Sequence, residues 1–168
     1  HELPSFWQYF RKPSLEIATM ANYEEKIEKI IEETVDEDIR SLAGTPTWTL
    51  ALINKIVEKK KVKNILEVWP NLEIFFHGAV SFAPYRKIFE ELIPTPNMHY
   101  IEIYNASEGF IAVQDDLERK GEMWLSPDYG IFYEFIPMSE YGKENPQIYT
   151  MDTVKLGENY ALVITNNS

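Results

Sequence analysis

Leu72-Glu73-Ile74-Phe75-Phe76-His77-Gly78-Ala79, answered further on by Met98-His99-Tyr100-Ile101-Glu102-Ile103-Tyr104, is the stretch that decides the fold. Each half is a short apolar run, and the first ends in a glycine turn, so both read as buried strands. Between them, Ser81 or a neighbour opens a helix with Tyr85, Ile88, Phe89 and Leu92 on one face, and Pro94-Thr95-Pro96-Asn97 ends it. Strand, helix and strand over about thirty residues is the size of a βαβ unit. Gly78 and the later Gly109 then fall at the carboxyl ends of strands, the edge where open α/β sheets bind ligands.

Upstream, the period is helical. Tyr23 to Val35 places Ile27, Ile30, Ile31 and Val35 on one face, with Asn22 as N-cap and Glu25 at the capping-box position. A short helix over Asp36–Leu42 is expected next, then a break at Gly44-Thr45-Pro46-Thr47. Thr47 is expected to cap a helix to about Lys60, with Leu50, Ile53 and Val57 buried and Lys59-Lys60-Lys61 complementing the last turn. Downstream, Phe110–Gln114, Glu122–Leu125, Gly130–Ile136 and Tyr160–Thr165 read as strands, with Lys120-Gly121 and Asp128-Tyr129-Gly130 as hairpin turns. The expected class is α/β: a mixed sheet flanked by helices, with a strand-rich C-terminal half. By segment, 1–70 is mainly helical, 71–104 a βαβ unit and 105–168 strand-rich.

Composition narrows the function. The chain has 168 residues, 45% hydrophobic and 14% aromatic, enough for one domain with a core. Sixteen Lys and Arg against 27 Asp and Glu give a formal charge of −11. That field repels nucleic acid and anionic membranes, so neither is an expected partner. A nucleotide site remains open if Mg²⁺ or backbone amides supply positive charge. The absence of cysteine excludes a disulfide scaffold, a thiolate metal site and a cysteine nucleophile, and suits a cytoplasmic protein. No apolar run is long enough to cross a bilayer. The start, His1-Glu2-Leu3-Pro4-Ser5, lacks the basic and apolar regions of a signal peptide. With no initial methionine and an abrupt polar end at Thr165-Asn166-Asn167-Ser168, it suggests a piece of something longer.

The three histidines, His1, His77 and His99, are far apart and none has a ligand-spaced partner. His77, at the end of an apolar strand, reads as a hydrogen-bonded structural residue. No Gly-x-Ser-x-Gly, Gly-Lys-Ser/Thr phosphate loop or Gly-x-Gly-x-x-Gly occurs. What remains is Tyr104-Asn105-Ala106-Ser107-Glu108-Gly109. There a tyrosine ring can stack on a heterocycle, a serine hydroxyl can donate to phosphate, and a glutamate can hold Mg²⁺, while the glycine admits a ligand close to the backbone. The same residues also make an ordinary strand end with Ser107 in a turn and Glu108 in water, and on pattern alone that is the simpler reading.

The hexapeptide resembles the second nucleotide motif of the auxin-responsive acyl acid–amido synthetases, a branch of the adenylate-forming superfamily that includes firefly luciferase and the acyl-CoA synthetases. Trp69-Pro70-Asn71-Leu72 followed by Phe76-His77-Gly78-Ala79-Val80 resembles the family's Trp-Pro strand and glycine turn. Ile131-Phe132-Tyr133-Glu134-Phe135-Ile136-Pro137 resembles its Tyr-Phe-Glu-Phe-hydrophobic-Pro strand. Asp152-Thr153-Val154-Lys155-Leu156-Gly157 and Tyr160-Ala161-Leu162-Val163-Ile164-Thr165 resemble the approach to its third motif, and Gly44-Thr45-Pro46-Thr47-Trp48 a loop of bacterial relatives. The resemblance runs in order from about residue 20 to the end.

The resemblance implies part of a large N-terminal adenylation domain. It implies ATP and Mg²⁺ as cofactors, and a small carboxylic acid and an amino acid as substrates. The acid would attack the α-phosphate to give an acyl-adenylate, and an amine would then displace AMP to form an amide. Tyr104 would stack on adenine, Ser107 would contact phosphate, and Glu108 would bind the metal, so Ser107 and Glu108 carry the catalytic role. Gly78 and Ala79 would line the adenine and acyl pocket, with Trp48, Val80 and Phe82 as further pocket candidates. Plant members carry Ser or Thr where this chain has Ala106. The family's first motif, a Ser/Thr/Gly-rich phosphate loop, is expected upstream of residue 1, and its Arg-Tyr-x-x-Gly-Asp segment after Ser168. Two alternatives stand beside this reading: a thioester-forming acyl-CoA ligase of the same superfamily, and a non-catalytic ligand-binding or interaction domain.

Overall fold

The computed structural model describes residue 6 and residues 9–166, so the quoted start of the chain lies outside the described residues and the quoted end partly so. The chain divides into two compact units, residues 1–102 and 103–168. Helices and parallel strands make up the first: α1 (Leu15–Ala18), α2 (Tyr23–Thr34), β1 (Ser41–Gly44), α3 (Pro46–Lys60), a 3₁₀ turn (Ile65–Glu67), β2 (Ile74–His77), α4 (Arg86–Leu92) and the start of β3 (His99–Ala106). The second holds the rest of β3, then β4 (Gly109–Val113), β5 (Trp124–Leu125), β6 (Ile131–Pro137) and β7 (Tyr160–Asn166).

Strand order is β1-β2-β3-β4-β5 in one mixed sheet and β6-β7 in a second. β2 pairs parallel with β3 in the register Ile74↔His99 to His77↔Glu102, with α4 as the crossover between them. The expected βαβ arrangement is therefore present. β3 changes partner along its length: 99–102 pair with β2, and 103–106 pair antiparallel with β4.

The first unit has one apolar core, with Ile27, Ile31, Ile53, Ile56, Ile65, Trp69, Phe75, Phe82 and Phe89 among its buried members. α2 begins as the sequence indicates: the Glu25 amide donates to Asn22 Oδ1 at 3.2 Å. Its buried stripe is Ile27, Ile31 and Thr34. The indole N–H of Trp69 donates to the Thr34 carbonyl at 2.9 Å, joining the 3₁₀ turn to the end of α2 inside the core. Phe75 is fully buried, stacked on Phe89 with centroids 5.0 Å apart and edge-on to Phe82 at 6.0 Å.

Three local expectations are corrected. The short helix expected over Asp36–Leu42 is absent among the described residues, and Ser41–Gly44 form β1 instead, because their backbone is taken up by parallel pairing with β2, Ser41↔Ile74 to Gly44↔His77. The N-cap position of α3 is Thr45, not Thr47, and its side chain makes no capping hydrogen bond; Pro46 fits the first helical position without needing an N–H. Its buried stripe is accordingly Pro46, Thr49, Ile53 and Ile56. α4 begins at Arg86, later than expected, and buries Phe89 while Ile88 stays exposed.

The second unit has its own core of Ile111, Ala112, Ile131 and Tyr133. Tyr133 reaches back with its hydroxyl to the Ser126 carbonyl at 3.1 Å. β4 carries one extra residue: Tyr104 faces Ala112 and Asn105 faces Phe110, leaving Ile111 unmatched. That bulge explains why Ile111 and Ala112 are both buried although strand neighbours ordinarily alternate. The turn at Asp128-Tyr129-Gly130 does not join paired strands, because β5 pairs with β4 and β6 with β7.

Truncating Phe75 to Ala is expected to destabilise the first unit by about 3–5 kcal/mol, the range for deleting a buried aromatic ring. Ile88→Ala should stay within about 0.5 kcal/mol of the parent. Urea titrations followed by tryptophan fluorescence distinguish the two.

Candidate functional site

Ala106 and Gly109 are opposed partners in the β3–β4 ladder, so Ser107 and Glu108 form a two-residue hairpin tip. Both side chains are exposed, and Tyr104, three residues back on β3, is 43% exposed. Among the described residues neither the Ser107 hydroxyl nor the Glu108 carboxylate has a hydrogen-bond or ion-pair partner. The backbone of the tip is nonetheless held: the Asn166 amide, at the end of β7, donates to the Glu108 carbonyl at 2.8 Å. Asn166 was not singled out in the sequence, because a contact spanning 58 residues leaves no local pattern.

Gly109 has a packing role of its own in the second unit. It adopts φ +145°, and a Cβ there would meet Ile131 Cδ1 at 3.1 Å. The glycine is required by its own backbone and by close packing of β6.

Within the first unit, Gly78 and Ala79 follow β2 directly. The left-handed residue of this turn is Ala79, with φ 69°, an uncommon conformation for a residue with a Cβ. Val80 beside it is 42% exposed. Trp48 lies on α3, 59% exposed and edge-on to Tyr23 at 4.7 Å. Phe82 is buried instead, and its ring is part of the core.

His77 differs from expectation in an informative way. It is fully buried, yet neither imidazole nitrogen has a hydrogen-bond partner among the described residues. Its neighbours are rings that offer no acceptor: Phe82 stacks on it at 4.1 Å and 21°, and Phe75 lies 5.5 Å away. Burial, reinforced by the Arg86 charge, pushes its pKa down to about 4. The Tyr100 hydroxyl is a second buried group without a hydrogen-bond partner among the described residues. Burial and then Glu90 push its pKa up to about 12 against the opposing effect of Arg86. The Arg86 guanidinium lies 5.0 Å from the Phe82 centroid and 5.3 Å from that of Tyr100.

Two clusters are thus on the page, each inside its own unit: Tyr104, Ser107, Glu108 and Asn166 at the hairpin, and His77, Phe82, Arg86 and Tyr100 around the β2 turn. They belong to an α/β protein in which hydroxyl and carboxylate are presented at a strand end. The model of the GH3 family N-terminal domain matches residues 3–98, and that of the GH3 family central domain matches residues 124–168. The first match alone covers more than half of the chain, so the chain belongs to the GH3 family, the auxin-responsive acyl acid–amido synthetases of the adenylate-forming superfamily. Comparison with curated proteins gives no match. The hairpin itself falls between the two matched spans. No helix among the described residues is long and apolar enough to cross a membrane, and no group of three or more metal-ligating side chains occurs among them.

Two measurements test this geometry. His77 has a depressed folded pKa, so its neutral burial contributes stability above about pH 6.5 that is lost as the pH falls toward 4. The loss amounts to about 3 kcal/mol. Urea midpoints taken between pH 7.5 and 4.5 should show this slope, and His77→Leu should flatten it. Gly109→Ala is expected to cost the second unit about 1–3 kcal/mol through backbone strain. Thermal unfolding followed by near-ultraviolet circular dichroism reads that cost.

Proposed function

We propose that this chain is the middle of a longer cytoplasmic synthetase that adenylates a carboxylic acid with ATP and passes the acyl group to an amino acid amine. On this reading residues 1–168 are a piece of its N-terminal adenylation domain. The observation that carries the proposal is the hairpin tip: a hydroxyl and a carboxylate side by side, exposed and without a partner among the described residues, with a half-exposed tyrosine ring on the strand that leads to them. Membership of a family of acyl-adenylating ligases supports it.

In this scheme Tyr104 stacks on adenine. Ser107 donates to a phosphate oxygen. Glu108 would offer a hard carboxylate oxygen to Mg²⁺, and its exposure and lack of a cationic partner among the described residues fit that role. Glu108 has no metal-ligating cluster around it among the described residues, so phosphate and water would complete the coordination. The metal would supply positive charge to phosphate oxygens, which a chain of net charge −11 otherwise repels. Asn166 fixes the tip backbone, so that Ser107 and Glu108 are presented in one arrangement. Gly78 and Ala79 line the adenine and acyl pocket, with Trp48 and Val80 at its margin.

The chain contains no Ser/Thr/Gly-rich phosphate loop and no Arg-Tyr-x-x-Gly-Asp segment. Residues 1–168 alone are therefore expected to release no acyl-dependent pyrophosphate. In the longer synthetase, Glu108→Ala should lower ATP–pyrophosphate exchange by about 100-fold with an unchanged circular dichroism spectrum. Unaltered exchange across a panel of carboxylic acids would remove Glu108 from the site.

A further inference from the structure

Ile131 and Asn166 are opposed partners at one end of the β6–β7 ladder, and together they grip the hairpin tip. Asn166 donates its side-chain amide to the Glu108 carbonyl at 2.8 Å. Ile131 packs so close to Gly109 that a Cβ on the glycine would meet its Cδ1 at 3.1 Å. Two successive residues of the turn are thus held by two facing residues of the second sheet, one by a hydrogen bond and one by van der Waals contact. Tyr133, the next residue of β6 on that face, places its hydroxyl 3.1 Å from the Ser126 carbonyl and 3.4 Å from that of Ile111. The grip on the tip is therefore the last of a row of contacts made by the β6 face.

We propose that the Ile131–Asn166 pair is a clamp that sets the pose of the tip for phosphate and metal, with Asn166 as its positioning residue. The proposal rests on the adenylating reading above and concerns what keeps that site in one arrangement. A two-residue turn closed by glycine has a soft backbone, because Gly109 reaches conformations denied to other residues. The Glu108–Gly109 peptide plane is free to rotate unless its carbonyl is held. Asn166 holds that carbonyl, and Ile131 fills the space beside it. Without the hold, Ser107 and Glu108 would spread over several arrangements and be ordered only at binding, at a cost in affinity.

Asparagine suits this position chemically. Its amide donates without bringing a charge beside Glu108, whereas a lysine there would neutralise the carboxylate that a metal needs. The tip lies between the two spans matched by the family, while Ile131 and Asn166 both lie in the central-domain span, 124–168. That span thereby acts on a site it does not contain.

Backbone ¹⁵N relaxation on the 168-residue chain tests the clamp directly. Ser107, Glu108 and Gly109 are expected to show order parameters of about 0.85, the rigid value, despite the exposure of the tip. Asn166→Ala and Asn166→Asp, the second of which keeps the shape but cannot donate, should lower them to below about 0.6 with the circular dichroism spectrum unchanged. Thr165→Ala, one residue away, should leave them at the parental value. Tip order that survives both Asn166 variants, or that falls equally in Thr165→Ala, overturns the clamp. In the longer synthetase, Asn166→Ala should lower kcat/KM for MgATP in pyrophosphate exchange about tenfold and leave the KM for the carboxylic acid unchanged. The same substitution should cost nothing further in a Glu108→Ala background, because it acts through the tip. An equal rise in the acid KM, or an added loss in that background, overturns the positioning role. A synthetase that exchanges with no acid removes the adenylating reading instead, and the relaxation result then decides the clamp by itself.

Discussion

Phe75 is the side chain on which the first unit depends. It points from the middle of β2 into a group of rings: Phe89 on the crossover helix, Phe82 in the turn after the strand, and His77 two residues on. Parallel strands cannot be joined by a tight turn, so α4 must cross over between β2 and β3 and find a seat on the way. Phe75 provides that seat through Phe89. The same ring sets the level at which Phe82 packs and so decides what lies against His77. Strand pairing, crossover and the setting of the buried histidine thus share one packing constraint.

Much of this architecture was legible because the hydrophobic period changes clearly at Pro70. Helical spacing before it and short apolar runs after it correspond to α2 and α3, then β2, α4 and β3. The misreadings have physical causes. Ser41-Leu42-Ala43-Gly44 has no strong strand propensity and becomes β1 through its pairing with β2, which no local pattern records. Gly130 is a sound turn residue, but turn chemistry alone does not tell which strands will pair on either side of it.

The candidate sites were legible to different degrees. Tyr104, Ser107 and Glu108 stand in one short motif, and the β-hairpin keeps them together. The isolation of His77 was invisible, because whether a buried nitrogen finds a partner depends on side chains far away in the sequence. Here Phe82 and Phe75 occupy that space with carbon. Tyr100 and Arg86 carried no signal for the same reason: an apolar strand and a helix start are ordinary places for a tyrosine and an arginine.

The extra residue in β4 has a consequence for how this hairpin can vary. Because Ile111 stands unmatched, the ladder is in one register at its tip and another at its base. Removing any one residue between Phe110 and Ala112 would bring the two registers into line. Every remaining pair would keep its face, and the deletion would remove the buried Ile111 side chain and the local twist that the extra residue imposes. The length of this strand is therefore set by the core position that Ile111 fills rather than by the pairing. A single-residue deletion here would cost the second unit a core side chain while leaving the orientation of the tip as it is.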